Sequence, residues 1–116
     1  MNTKIPVGDS PVISDKYGQS PYDRDLSQLI QSGIILVDKP PGPSSHQLAA
    51  WARGILGLNR LGHGGTLDPF ATGGLTLLLG KATRLTEFVL STDKTYVAVL
   101  KIDPKHDPVE IDEVLK

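Results

Sequence analysis

Gly62-His63-Gly64-Gly65-Thr66-Leu67-Asp68-Pro69-Phe70-Ala71-Thr72-Gly73-Gly74 separates two stretches of regular hydrophobic periodicity in a chain of 116 residues. Its glycines allow the backbone unusual dihedrals and close approach to a ligand. Its proline restricts the residue before it, Asp68, to an extended conformation. Irregular connections of this length are uncommon inside compact domains and usually carry function. Asp68, the carboxylate in the middle of the run, therefore stands out as a functional group held in place. A plainer role is equally open to it, because an aspartate in such a loop can be a turn residue bonded to its own backbone.

Upstream of this run, Ile34-Ile35-Leu36-Val37 lies between Gly33 and the Pro40-Pro41-Gly42-Pro43 breaker, which predicts a buried strand. Asp25 is placed to cap a short helix with the apolar face Leu26, Leu29 and Ile30, ending before Gly33. Ser44 or Ser45 is an N-cap for a second helix stopped by Gly57. Its apolar positions Leu48, Trp51, Ala52 and Ile55 recur at helical spacing and put Trp51 in the core. Downstream, Leu75 to Leu79 predicts a buried strand ended by Gly80, and Ala82, Leu85, Phe88 and Val89 mark a helix over 82–90. Thr95 to Ile102 alternates as a third strand, with Tyr96, Ala98 and Leu100 on one face and Val97 and Val99 on the other. Asp107, Pro108 and Glu110 have the N-cap, N1 and N3 pattern of a last helix. Residues 1–24 predict an irregular leader, and residues 25–116 an α+β fold.

Composition narrows the chemistry. The chain has no cysteine, which excludes disulfides, thiol nucleophiles and cysteine-ligated metals. No apolar run approaches the ~18 residues that cross a bilayer, and no leader reads as a signal peptide, so a cytoplasmic location is expected. The net charge of −1 conceals an uneven pattern: residues 39–101 carry seven basic and three acidic groups, while both flanks are acidic. A basic middle suits a local polyanion contact, although scatter over a solvated surface gives the same count. Gly62-His63-Gly64 lacks the third glycine of a dinucleotide fingerprint, and Gly80-Lys81 lacks the upstream glycine of a P-loop. His46, His63 and His106 are too far apart in sequence to read as a zinc site. Ser45 and His46, adjacent on a helix, point apart and are no catalytic pair.

Taken in order, Asp38-Lys39-Pro40, Ser44-Ser45-His46, Gly62-His63-Gly64-Gly65-Thr66-Leu67-Asp68-Pro69, Ala71-Thr72-Gly73, Lys81-Ala82-Thr83-Arg84 and Lys94-Thr95-Tyr96-Val97 resemble the TruB/dyskerin family of pseudouridine synthases. The resemblance runs over residues 33–102 without a gap. It implies a mixed, mostly antiparallel sheet flanked by helices. It also implies an isomerase that cuts the N-glycosidic bond of an RNA uridine, turns the uracil and rejoins it through carbon, with no cofactor and no metal. By this resemblance Asp68 is the catalytic aspartate, Tyr96 stacks on the target base, and His63 helps hold the flipped-out nucleotide. Lys94 belongs to the tyrosine motif. From their place at a helix start, Arg84 and Lys81 are candidate substrate contacts at a phosphate, and Arg84 is equally a candidate surface ion-pair partner. Lys39, Pro40, Gly64, Gly65, Thr66, Leu67 and Pro69 are structural neighbours of the site.

The partner so implied is RNA: the T-arm of tRNA, or rRNA selected by an H/ACA guide RNA with its accessory proteins, and no membrane. The Pro-Pro-Gly-Pro-Ser-Ser-His run and the leader resemble the archaeal and eukaryotic guide-dependent branch. Phe70-Ala71-Thr72-Gly73 and Leu78-Leu79-Gly80-Lys81 resemble the stand-alone bacterial enzyme. Family members continue beyond residue 116 with a second half of the catalytic domain and, in most, a PUA domain. Residues 25–116 are accordingly expected to form the N-terminal half of an incomplete domain, with an exposed edge strand and little turnover alone. A non-catalytic RNA-binding scaffold of the same fold and a phosphate-binding metabolic enzyme are the competing classes.

Overall fold

The computed structural model describes residues 16–103, 105, 112 and 113. Within them lie helix α1 (Leu26–Gln31), strand β1 (Ile34–Lys39), helix α2 (Ser45–Ile55), strands β2 (Leu61–Gly64) and β3 (Gly73–Leu79), and helix α3 (Thr86–Leu90). The expected helix start at Asp107, Pro108 and Glu110 and most of the leader lie outside the described residues. Of the leader, residues 16–24 carry a 3₁₀ turn at Pro21–Asp23.

Three strands form one antiparallel sheet in the order β1-β3-β2, with Ile34 opposite Leu78 and Lys39 opposite Gly73 on one side of β3. On its other side Leu61 pairs with Leu79 and Gly64 with Thr76. β1, α2 and β2 thus make a split β-α-β unit whose gap β3 fills. The central strand is buried on both faces, which is why it reads as an unbroken aliphatic run and not an alternation. Leu75 and Leu77 face α2 and form the core with Leu48 and Ala49, with Val37, Ala52, Leu61 and Leu67 packed around them. Leu78, fully buried, points to the opposite face.

Local chemistry sets the helix ends. The Asp25 carboxylate accepts from Gln28 N at 2.8 Å while the Gln28 side chain accepts from Asp25 N, a reciprocal capping box. Those bonds, first to the Gln28 backbone and then to the Ser27 hydroxyl, hold the Asp25 carboxyl below its ordinary range. Ser44, not Ser45, caps α2 by accepting from Gln47 N at 3.1 Å.

Five expectations are corrected. β1 forms as expected but is not a buried strand: Ile34, Ile35 and Leu36 are exposed, because β1 is an edge strand and the helical segments pack mainly against β2 and β3. Trp51 is not in the core: it is 54% exposed and Ile55 84%, because the buried stripe of α2 runs through Ser45, Leu48 and Ala49. The glycine-rich run is not irregular from its start, since Leu61–Gly64 pairs with β3; the ladder of a neighbouring strand outweighs the poor strand propensity of glycine. The helix over 82–90 is instead a 3₁₀ segment, Gly80–Leu85, leading into α3. There Thr83 Oγ1 donates to Gly80 O at 2.8 Å and Thr86 Oγ1 to Thr83 O at 2.6 Å, tying hydroxyls to carbonyls three residues back. Thr95 to Ile102 forms no strand among the described residues, and Val97 and Val99 are almost wholly exposed. Alternation supplies a side-chain pattern, but a strand also needs a partner ladder, and none among the described residues lies against this segment.

Gly64 is buried where the sheet meets α3, and a Cβ there would overlap the Val89 side chain. Gly64→Ala is expected to destabilise the fold by about 1–3 kcal/mol through overpacking. Val89→Ala in the same chain should recover part of that loss, because the two positions share one volume. Thermal melts of the single and double variants check this; purely additive effects would contradict the contact.

Candidate functional site

The loop Gly65–Thr72 joins β2 to β3, and its middle is tied down from the β1–α2 side of the sheet. Lys39, at the end of β1, is fully buried, an unusual place for an ammonium group. Its Nζ donates to Ala71 O at 2.8 Å, Pro40 O at 3.0 Å and Pro69 O at 3.2 Å. An ammonium has three donors, and all three are matched by carbonyls, which offsets its loss of water. Pro69 O also accepts from Gly42 N at 2.7 Å, so the breaker after β1 bonds directly to the loop. On the other side of Asp68, Ser45 Oγ accepts from Leu67 N at 2.8 Å and donates to Leu67 O at 3.0 Å. One buried hydroxyl thereby satisfies both backbone groups of a single loop residue. Ala71 N closes the turn onto Asp68 O at 3.0 Å.

The backbone on both sides of Asp68 is therefore fixed by three separate tethers, while the aspartate itself is exposed. A carboxylate on a backbone fixed in this way has little freedom to wander. His63, at the end of β2, is half-buried, and its Nδ1 faces Gly65 O at 2.6 Å. Because a carbonyl only accepts, Nδ1 is the donor in this contact. Gly65 holds φ of +113°, a backbone conformation that L side chains rarely adopt, and it lets the chain turn out of β2.

A concave space of about 770 Å³ opens between this loop and residues 92–99, with Leu67, Phe70, Lys94, Tyr96 and Val99 among its walls. Its size is that of a small-ligand cleft. Tyr96 (63% exposed) and Phe70 (80% exposed) present aromatic surface there. Asp68 and His63 are not among its lining residues: they belong to the same connection but stand beside the space. Lys94 Nζ donates to the carbonyls of Val89, Leu90 and Thr92 at 2.9–3.2 Å. Its stem passes over Gly65. Lys94 is thus occupied in closing the end of α3 and holding the chain before Tyr96 against the loop.

Arg84 is not brought to this site. It lies at the opposite end of the sheet, beyond β3, where it shares a second concavity with Arg24 and Lys81. Three contributors were missed by sequence reasoning. Phe70 carried no periodic signal, Ser45 was weighed only as a cap, and Gly42 acts through its N–H alone. Among the described residues no group of three or more His, Cys, Asp or Glu side chains converges. No helix there is long and apolar enough to cross a membrane.

Residues 53–114 match the family model described as TruB family pseudouridylate synthase (N terminal domain), and residues 10–49 match the DKCLD (NUC011) domain. The chain is 40% identical over all of its 116 residues to a probable tRNA pseudouridine synthase B of Methanopyrus kandleri, covering 33% of that protein. It is 46% identical over 100 residues to the probable tRNA pseudouridine synthase B of Thermococcus kodakarensis, covering 86% of this chain and 29% of that one. The chain spans about a third of the length of these curated relatives. Among solved structures, an H/ACA ribonucleoprotein bound to a substrate RNA containing 2′-deoxyuridine aligns with TM-score 0.62 at 46% identity, over 66% of this chain and 24% of that chain. An archaeal box H/ACA Nop10–Cbf5 complex gives 0.61 at 47% identity, over 65% and 24%.

Ser45→Ala removes both bonds to Leu67 and is expected to cost about 1–3 kcal/mol. Lys39→Met leaves the Pro40 and Ala71 carbonyls without this donor, and the expected cost is larger, on the order of 3 kcal/mol or more. In both variants the amides of Leu67 and Ala71 should exchange hydrogen faster than those of β3. Unchanged exchange at these amides would show that the tethers do not hold the loop.

Proposed function

The chain belongs to the TruB family of pseudouridylate synthases, and we propose that its Asp68 loop is the reacting wall of an RNA uridine isomerisation site. The observation that carries this is an exposed carboxylate whose backbone is pinned on both sides by Lys39, Ser45 and Gly42, next to a space walled by Tyr96. In the overall reaction the bond from the ribose C1′ to uracil N1 breaks and a bond from C1′ to C5 forms. C5 gives up its proton and N1 ends with one, so nothing enters or leaves. Asp68 acts as nucleophile at the sugar or as the base that begins the cleavage. Either task needs a carboxylate fixed relative to the sugar, and tethered backbone supplies that.

A uridine within a stacked RNA cannot reach Asp68, so it must be extruded at a cost of a few kcal/mol. Tyr96 and its neighbour Phe70 offer aromatic surface on which the extruded base stacks, returning about 1–3 kcal/mol. His63 turns its Nδ1 to Gly65 O, which leaves Nε2 as the ring nitrogen that meets the nucleotide. The substrate is a uridine of tRNA, as the names of the relatives suggest, or one selected by an H/ACA guide RNA, as the solved neighbours with Nop10 and substrate RNA suggest. The leader-side DKCLD match favours the guide-dependent assignment, and a cytoplasmic setting fits either substrate.

The test joins residues 1–116 to the remaining, roughly two-thirds portion of the Methanopyrus kandleri relative and assays pseudouridine in a tRNA, with and without guide RNA and accessory proteins. Asp68→Asn is expected to lower turnover by about 10²–10⁴-fold or more while RNA affinity stays the same. Unchanged turnover would reject Asp68 as the reacting group and leave the non-catalytic scaffold. In the same background Tyr96→Ala should weaken the productive complex by about 1–3 kcal/mol, and Tyr96→Phe should restore most of it. Equal losses in the two variants would tell against stacking.

A further inference from the structure

At the end of the sheet away from Asp68, three cations from two separate parts of the chain surround one shallow concavity of about 590 Å³. Arg24 precedes α1, and Lys81 and Arg84 lie in the 3₁₀ segment between β3 and α3. Residues three apart in a 3₁₀ helix eclipse one another, so Lys81 and Arg84 project together. Both are exposed and make no hydrogen bond or ion pair with another described residue. Arg24 donates one long bond of 3.4 Å to Gln19 O, leaving its other N–H groups uncommitted. Among the described residues no carboxylate lines the concavity. The nearest acidic neighbours in sequence are otherwise placed: Asp25 is engaged in its capping box, and Glu87 stands on α3 outside the lining. Packing in this segment is done by Ala82, which is buried, so the two cations are not needed to hold it in place.

Like charges gathered without counter-charges repel one another and raise the local potential for anions. We propose that this concavity binds phosphodiester groups of the same RNA whose uridine is presented to Asp68, an assignment that rests on the function proposed above. The site is open and has apolar walls, including Leu29, Ile34 and Leu85, which suits a polymer backbone passing across it better than an enclosed small phosphate. The distance also fits a polymer. Ile34 marks the concavity and Lys39 the loop, six residues along one strand, or roughly 17 Å at ~3.4 Å per residue. A stacked nucleic-acid strand advances by about 3.4 Å per phosphate, so about five nucleotides separate the two contacts.

The experiment measures binding of the 116-residue chain to a fluorescent RNA stem-loop between about 50 and 200 mM salt. Arg24→Ala/Lys81→Ala/Arg84→Ala is expected to lower affinity at least tenfold and to flatten the log–log salt slope by about 2, the share of three phosphate contacts. Arg53→Ala/Lys101→Ala/Lys105→Ala removes the same charge elsewhere and should lower affinity less than threefold. The exposed pair Lys81→Gln/Arg84→Gln, in a chain whose melt is unchanged, repeats the effect at about two-thirds of its size. Asp68→Asn should leave the slope as it is, which separates this site from the proposed chemistry. Inorganic phosphate and UMP at equal ionic strength should not compete; competition by either would make this a small-anion site. Equal losses in the two triple variants, an unaltered slope in the Gln pair, or no RNA binding by the unsubstituted chain would overturn the proposal.

Discussion

The buried ammonium of Lys39 is the constraint around which the rest of the site is arranged. A charge removed from water is tolerated only when every donor is met, and here the acceptors come from Pro40, Pro69 and Ala71. Two of these belong to a loop about thirty residues further along the chain. Lys39 can be buried only if that loop lies over the end of β1, and the loop is ordered only if Lys39 reaches it. Strand position and loop shape are thus one condition. The register that places Lys39 opposite Gly73 brings the loop's return to β3 to the same point.

β3 carries this condition through the molecule. It is hydrogen-bonded on both edges and covered on both faces, with Leu75 and Leu77 against α2 and Leu78 against the opposite layer. α2 meets it through a stripe that begins at Ser45, whose hydroxyl bonds Leu67. The helix that fills the core is therefore the helix that fixes the residue before Asp68. A loss of packing at Leu48 or Ala49 would reach the loop through α2, with no contact to Asp68 itself.

Much of this scaffold was legible in the sequence, and what escaped has physical reasons. The Asp25 and Ser44 caps, β1 and β3 each leave a local mark: a polar side chain before an apolar face, or an aliphatic run bounded by breakers. β2 leaves none, because Gly62 and Gly64 carry no strand propensity and Gly64 exists to admit Val89 from α3. The buried face of α2 was misread because hydrophobic periodicity ranks Trp51 and Ile55 above Ser45. The stripe was chosen by a hydrogen bond to a distant loop, and periodicity does not register it. The resemblance placed Lys39 near the site, but its partners are carbonyls, which have no side-chain signature at all. Thr95 to Ile102 shows the converse: the alternation is present, and among the described residues the ladder is not.

The two walls of the concave space are held by different means, and the difference suits the chemistry proposed for them. The Asp68 wall is tethered by buried bonds and needs no ligand to take its shape. Among the described residues the Tyr96 wall has no ladder, and its apolar side chains are exposed. A reacting carboxylate works best when it is already fixed as the substrate arrives, since any error in its placement enters the barrier directly. A stacking surface can settle once the base is in place, because stacking tolerates displacement that bond formation does not. Lys94 joins the two by closing the end of α3 while lying across Gly65. The segment that carries Tyr96 therefore starts from a point fixed to the Asp68 loop.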